Sequence, residues 1–229
     1  MKTSGRCTAL ILILLTLVGC GRLSPAPARQ GDPVRQGDAA RQGDAARLDK
    51  IAELYKQRQF PTVVLQLKDY VASNPRDDLA LTILGNAYRE TEHPDEALAA
   101  YDAAVAVNPR QTKAITGRGV IFRMRNDYDG AMKCYEQAVE IDPKDAQAFS
   151  SMVMIALKRH DDANAVKYGT QGHALDKEDP VIAANLAVAY HYNKDVENRD
   201  KMAAIAEKLG YTNMAALRRI FAGELNIRD

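Results

Sequence analysis

Three dipeptides recur at a fixed interval: Asn74-Pro75, Asn108-Pro109 and Asp142-Pro143 stand 34 residues apart. The same interval links other positions. Ala97, Ala131 and Ala165 share one register, with Val63 one period earlier, and Leu54, Tyr88, Phe122, Ala156 and Tyr190 share another. Tyr101 repeats as Tyr135, and Gly85 as Gly119, with Ala187 two periods on. Units of this size bury only part of their apolar surface alone, so they are stable only when stacked on one another.

Within a unit the spacing is helical. Leu81, Leu84 and Tyr88 lie three and four residues apart and share one helix face. Ala97, Tyr101 and Ala104 do the same on the next helix. Gly85 and Ala97 are small enough for two helices to approach, while Tyr88 and Tyr101 fill the space around them. The second helix stops at Asn108-Pro109, because Pro disfavours helical backbone in the residue before it. Hydrophobic residues make up 46% of the chain, enough for a core, and aromatics only 6% with no Trp, which favours close-packed helices over a β-sandwich. The fold class expected is therefore all-α.

The run Leu81-x2-Leu84-Gly85-x2-Tyr88, then Ala97-x3-Tyr101-x2-Ala104 and Pro109, resembles the tetratricopeptide repeat (TPR). Ile115, Gly119, Phe122, Ala131, Tyr135, Ala138 and Pro143 repeat it. The resemblance covers residues 48–211 in about five helix-turn-helix repeats and implies a right-handed superhelix. The fourth repeat departs most, with Val153, Gly169 and Lys177 where Gly, an aromatic and Pro are expected. The fifth has Arg199 at the usual Ala. Residues 212–229 are expected to close the array, with a capping helix from Met214 to Leu225.

The start of the chain carries an address. Lys2 and Arg6 precede an apolar run from Ala9 to Val18, too short for the about 20 residues of a membrane-spanning helix. It reads as the core of a signal peptide over residues 1–19. Leu17-Val18-Gly19-Cys20 resembles the lipobox of bacterial lipoproteins, which implies cleavage before Cys20 and acylation of that residue. Each buried lipid methylene contributes about 0.8 kcal/mol, so several chains anchor where one would not. Gly21, in place of the Asp that often retains lipoproteins in the inner membrane, points to the outer membrane, facing the periplasm. Residues 20–47 contain three related hexapeptides starting at Arg29, Arg35 and Arg41, offer little to a core, and are expected to form a flexible tether. Cys7 leaves with the signal and Cys134 has no mate, so no disulfide forms within the mature monomer.

The full chain carries a net charge of +1, which losing Lys2 and Arg6 takes to −1. That balance lacks the basic excess of a nucleic-acid binder. The four histidines belong to no H-E-x-x-H, and neither G-x-S-x-G nor a P-loop occurs. His160-Asp161-Asp162 falls in a turn between helices, and Cys134 reads as a small buried hydrophobe. No catalytic residue, metal site or cofactor is expected, and the chain reads as a scaffold for protein partners.

In TPR arrays the first helix of each pair lines a concave groove. Position by position, the resemblance implies that the groove holds Leu79, Thr82, Ile83, Asn86, Arg89 and Glu90 in the second repeat. The third supplies Lys113, Thr116, Gly117, Val120, Arg123 and Met124. The fourth supplies Gln147, Ser150, Ser151, Met154, Leu157 and Lys158, and the fifth Val181, Ala184, Asn185, Val188, His191 and Tyr192. Asn86, Arg89, Lys113, Arg123, Met154, Lys158, His191 and Tyr192 are the residues expected to bind a partner, an extended or helical peptide. Of the Lys and Asn set with which some TPR domains clamp a carboxylate, only Asn86 and Lys113 are echoed, and Gly117 stands where an Asn is expected. Taken with the lipobox, the chain resembles the TPR lipoproteins of Tad/Flp and type IV pilus assembly. That implies a role in pilus or secretin assembly, the alternative being an envelope adaptor that recruits proteases or peptidoglycan enzymes.

Overall fold

The computed structural model describes residues 33–228, so Cys20 and the signal sequence lie outside the described residues. The chain divides into two units, Met1–Gly43 and Asp44–Asp229. Of the first unit, the described residues 33–43 are helical. The second carries the array.

Among the described residues there are eleven helices and no strand. Five pairs follow one another: α1 (Pro33–Lys56) with α2 (Phe60–Ser73), α3 (Asp78–Glu90) with α4 (Pro94–Val107), α5 (Thr112–Met124) with α6 (Tyr128–Ile141), α7 (Ala146–Lys158) with α8 (Asp162–Leu175), and α9 (Pro180–Tyr192) with α10 (Val196–Lys208). A short α11 (Met214–Phe221) follows. The array is thus all-helical and repeats as the 34-residue period requires.

Helix starts follow from local chemistry. The carboxylates of Asp77, Asp127, Asp145, Asp161, Asp179 and Asp195 each accept a backbone N–H in the first turn of the following helix. Pro94 and Pro180 occupy the first helical position, where no N–H is missed. The turn inside each pair is equally regular. Arg58, Glu92, Asn126, His160 and Lys194 all have positive φ, between 58° and 64°, and stand one period apart. The amide after each donates to the carbonyl of Leu54, Tyr88, Phe122, Ala156 or Tyr190, at 2.9–3.0 Å, which closes the end of the preceding helix.

Two boundaries differ from the sequence reading. Helix α1 begins at Pro33, so residues 33–47 are helical where a flexible tether was expected. Pro33 sits where a helix tolerates it, and the Ala, Arg and Gln of the hexapeptides outweigh the cost of Gly37 and Gly43. Among the residues whose side chains are described, the first hydrophobic core members are Leu48 and Ile51. Helix α11 stops at Phe221, short of Leu225, and Gly223 with φ +74° turns the chain away.

The core is built from tyrosines set against glycines. Tyr101 and Tyr135 are fully buried. A Cβ on Gly85 would lie 2.6 Å from the Tyr101 ring and one on Gly117 2.5 Å from it, while one on Gly119 would meet Tyr135 at 2.8 Å. In the fourth repeat the large and small positions exchange. Val153 is buried where Gly is usual, and Gly169 leaves the room that Leu186 enters from the next pair. Arg199, at the usual Ala of the fifth repeat, does not break α10; its guanidinium covers the Phe221 ring at 5.0 Å.

Polar ties bridge successive pairs. Asn108 and Gln111 each donate to the Asp78 carboxylate at 2.8 Å, which holds that carboxyl below its ordinary range, the Asn108 bond contributing most. Gln147 donates to Asp179 at 2.6 Å. Arg125 pairs with Asp95, and Arg159, one period on, with Asp129.

Candidate functional site: the inner face of the array

The first helices of the pairs, α3, α5, α7 and α9, carry the residues expected to form a groove, and the structure sorts these into three places. Asn86, Arg89 and Lys113 line one open hollow of about 440 Å³ together with Thr116, Val120 and Gln147. Arg123, Met154 and Lys158 line a second, of about 180 Å³, with Asn126 and Tyr128. His191 and Tyr192 line a third, of about 340 Å³, whose walls they share with His160 and residues 220–228 of the same chain.

The first hollow has a tuned floor. The Tyr101 ring lies under Gly85 and Gly117, and its hydroxyl donates to Asn86 Oδ1 at 2.7 Å. Burial pushes the Tyr101 phenol up to about 12, so it stays a neutral donor. Asn86 is therefore held with its amide oriented by a core residue. Arg89 is tied to Glu90 at 2.8 Å, whereas Lys113 is exposed. Lys144, Asp142 and Asp145 stand at the opposite rim, which gives the hollow charges of both signs.

Several positions in the wider groove set do not present themselves to a partner. Thr82, Ser150, Leu157, Ala184 and Val188 are buried. The Thr82 hydroxyl donates to the Asp78 carbonyl at 2.6 Å, and Ser150 accepts from Asn185 at 2.8 Å. Leu79, Met124 and Val181 remain exposed apolar side chains. Gly117 is a packing residue, since only a missing side chain admits the Tyr101 ring.

His191 and Tyr192 do line a hollow, but they share it with the end of their own chain: Ile220, Gly223, Leu225, Asn226 and Arg228 form much of its wall. The Tyr192 hydroxyl donates to Asn226 at 3.0 Å and accepts from the Ile227 amide at 3.3 Å. The Arg228 guanidinium lies 3.7 Å from the centre of the Tyr192 ring, and His191 packs on Phe221 at 5.3 Å. Burial, together with Arg199 and Arg228, lowers the His191 pKa. The residues that cover this half of the inner face were missed because they follow the last repeat, where no period points to them. The Cys134 thiol, its pKa raised by burial, lies in the core.

Residues 84–146 match the model of the tetratricopeptide repeat family. The described helices have the same arrangement as solved TPR proteins. The fold is a TPR array. The thermophilic TPR protein TTC0263 of Thermus thermophilus is 18% identical with a TM-score of 0.65, covering 79% of this chain and 98% of its own. The pilF protein of Pseudomonas aeruginosa is 15% identical with a TM-score of 0.68, covering 82% of this chain and 87% of its own. YrrB, described as a TPR protein with an unusual peptide-binding site, is 16% identical with a TM-score of 0.58, over 84% and 97%. No curated protein matches the chain in sequence. A TPR array is a fold for protein interaction, and this one offers open hollows along α3, α5 and α7.

Proposed function

We propose that this TPR array is a membrane-anchored scaffold of the cell envelope that holds a partner segment along α3, α5 and α7 and supports pilus or secretin assembly. The observation that carries the binding surface is the pair of adjoining open hollows, with Asn86, Arg89 and Lys113 in one and Arg123 and Met154 in the other. The anchor rests on Leu17-Val18-Gly19-Cys20, which supports lipidation and an outer-membrane location facing the periplasm. Among the described residues no helix is long and apolar enough to cross a membrane. The pilus role rests on the resemblance of leader and repeats to pilus-assembly lipoproteins; the likeness to pilF concerns the fold.

The test is charge reversal on the open half of the inner face, Lys113→Glu with Arg123→Glu. Lys113 is exposed and Arg123 half-buried, so the pair changes the surface far more than the core. Like-charge contact with an acidic partner costs several kcal/mol. A deletion strain should lose surface pili or assembled secretin multimers. The double variant should reproduce that loss while keeping normal helicity and membrane location. Intact pili, secretins and secretion in the deletion strain would remove the pilus reading and leave the envelope adaptor in its place.

A further inference from the structure

Beyond α11, the chain folds back on the inner face of α7 and α9 and stays there on few attachments. After the turn at Gly223, the amides of Glu224 and Leu225 return to the Arg219 carbonyl. After Leu225, the backbone hydrogen bonds of the described residues are the Ile227 amide to the Tyr192 hydroxyl and the Arg228 amide to Asn226. Side chains do the rest. Leu225 and Ile227 face Met154, Ala184 and Val188, and Arg228 lies on Tyr192, beside His160 Nδ1 at 3.3 Å, and pairs with Asp162.

The fit is incomplete in two respects. A cavity of about 240 Å³ remains between this segment and the helices, walled largely by apolar side chains. The Arg228 side chain is only 12% exposed, and its Nε has no hydrogen-bond partner among the described residues. A buried donor left unsatisfied costs free energy.

The acid that Arg228 meets is also distinctive. Arg125 and Arg159 end α5 and α7 and pair with Asp95 and Asp129, at the start of the second helix one pair back. The next positions in that register are Asn193 and Ala163, so neither the arginine nor the acid of that pair is present. Asp162, one residue before the position equivalent to Asp129, instead receives the guanidinium of Arg228 from 66 residues away. A segment held by its side chains more than by its backbone, an apolar hollow beside it and an arginine–carboxylate pair outside the repeat pattern describe a ligand site with a stand-in ligand.

We propose that Leu225–Arg228 is an internal occupant of a peptide-recognition site on α7, α8 and α9, and that the site takes in its place a partner segment of the same pattern. That pattern is an apolar residue, any residue, a second apolar residue and then arginine. The partner's apolar pair fills the cavity at Met154, Ala184 and Val188, and its arginine stacks on Tyr192 and pairs with Asp162. The inference rests on the reading of the inner face as a binding surface and extends it to the half that the chain itself closes. Local opening of a weakly tied segment is a low-cost step that precedes binding.

The probe is a fluorescent peptide of residues 222–229, added to the chain that retains its own copy of that sequence. In the Arg228→Glu chain, repulsion from Asp162 should release the internal segment. Anisotropy should then show the peptide binding at least about tenfold more tightly than to the unaltered chain, because apparent affinity scales with the open fraction. Ile227→Asp releases the segment by a second route and should give the same gain. Adding Asp162→Ala to Ile227→Asp, whose release does not depend on that carboxylate, should abolish the gain. Equal binding to the unaltered and released chains, no binding to either released chain, or indifference to Asp162→Ala would each overturn the proposal. None of these outcomes touches the surface at Lys113 and Arg123, so the two readings fail separately.

Discussion

Tyr101 shows how much one side chain decides. Its ring occupies the space that side chains on Gly85 and Gly117 would need, and its hydroxyl orients Asn86 at the floor of the first hollow. Core and binding surface are therefore joined through a single residue. Gly117→Ala would place a methyl 2.5 Å from the ring carbon, and both are held by packed helices. We expect a loss of about 1–3 kcal/mol, the usual cost of overpacking. Combining it with Tyr101→Leu should cost less than the sum of the two single changes, since the smaller side chain yields the space. Denaturant melts of the three variants check both statements; additive losses would mean that ring and glycine do not compete for one volume. The sequence placed Gly117 on the groove by its repeat position, and it does line the hollow. Its role in packing was hidden because the ring it faces belongs to the preceding repeat.

At the scale of the helix pair, the turns carry a cost that the repeat accepts five times. Arg58, Glu92, Asn126, His160 and Lys194 all adopt the left-handed conformation, and none is glycine. An L-residue there is strained by roughly 1–2 kcal/mol, against about 0.5–1 kcal/mol of extra chain entropy that glycine loses on folding. Glu92 is exposed and makes no side-chain hydrogen bond given by the structure, so Glu92→Gly isolates the backbone term. It should raise stability by up to about 1 kcal/mol, read as a higher midpoint in urea. A drop in the midpoint would show that entropy outweighs the strain. The same position explains His160: it sits at the turn because the helix pair needs a residue there, and it is then available to touch Arg228. The helix-end register of Leu54, Tyr88, Phe122, Ala156 and Tyr190 was legible from spacing. The turn residue four positions later was not, because its chemistry varies while its backbone stays the same.

For the molecule as a whole, the leader and the array make separate claims. Cys20→Ala should block processing by the lipoprotein peptidase and remove palmitate labelling, with the array still folded. Palmitate labelling equal to that of the unaltered chain would sink the anchor. Stability should not follow the anchor, since the first core members among the residues whose side chains are described are Leu48 and Ile51. The melting midpoint of the purified variant should therefore match that of the processed protein. Function, in contrast, should depend on both parts: the anchor sets where the scaffold stands, and the hollows at Lys113 and Arg123 set what it holds.

The sequence by itself determined the repeat length, the helix pairs and the Asn-Pro or Asp-Pro pairs that end them. Each of these depends on backbone chemistry within a few residues, and repetition made the pattern visible several times over. The TPR resemblance also implied groove positions, and several of them line the hollows. Only the tertiary structure decided which of those positions stay open. Tyr192 meets Asn226 across 34 residues, and Asp162 meets Arg228 across 66. No periodicity encodes a contact between the last repeat and the segment that follows it. Whether that segment stacks outward as a cap or folds inward over His191 and Tyr192 depends on the apolar surface left by α7 and α9, and that surface exists only once the array has formed.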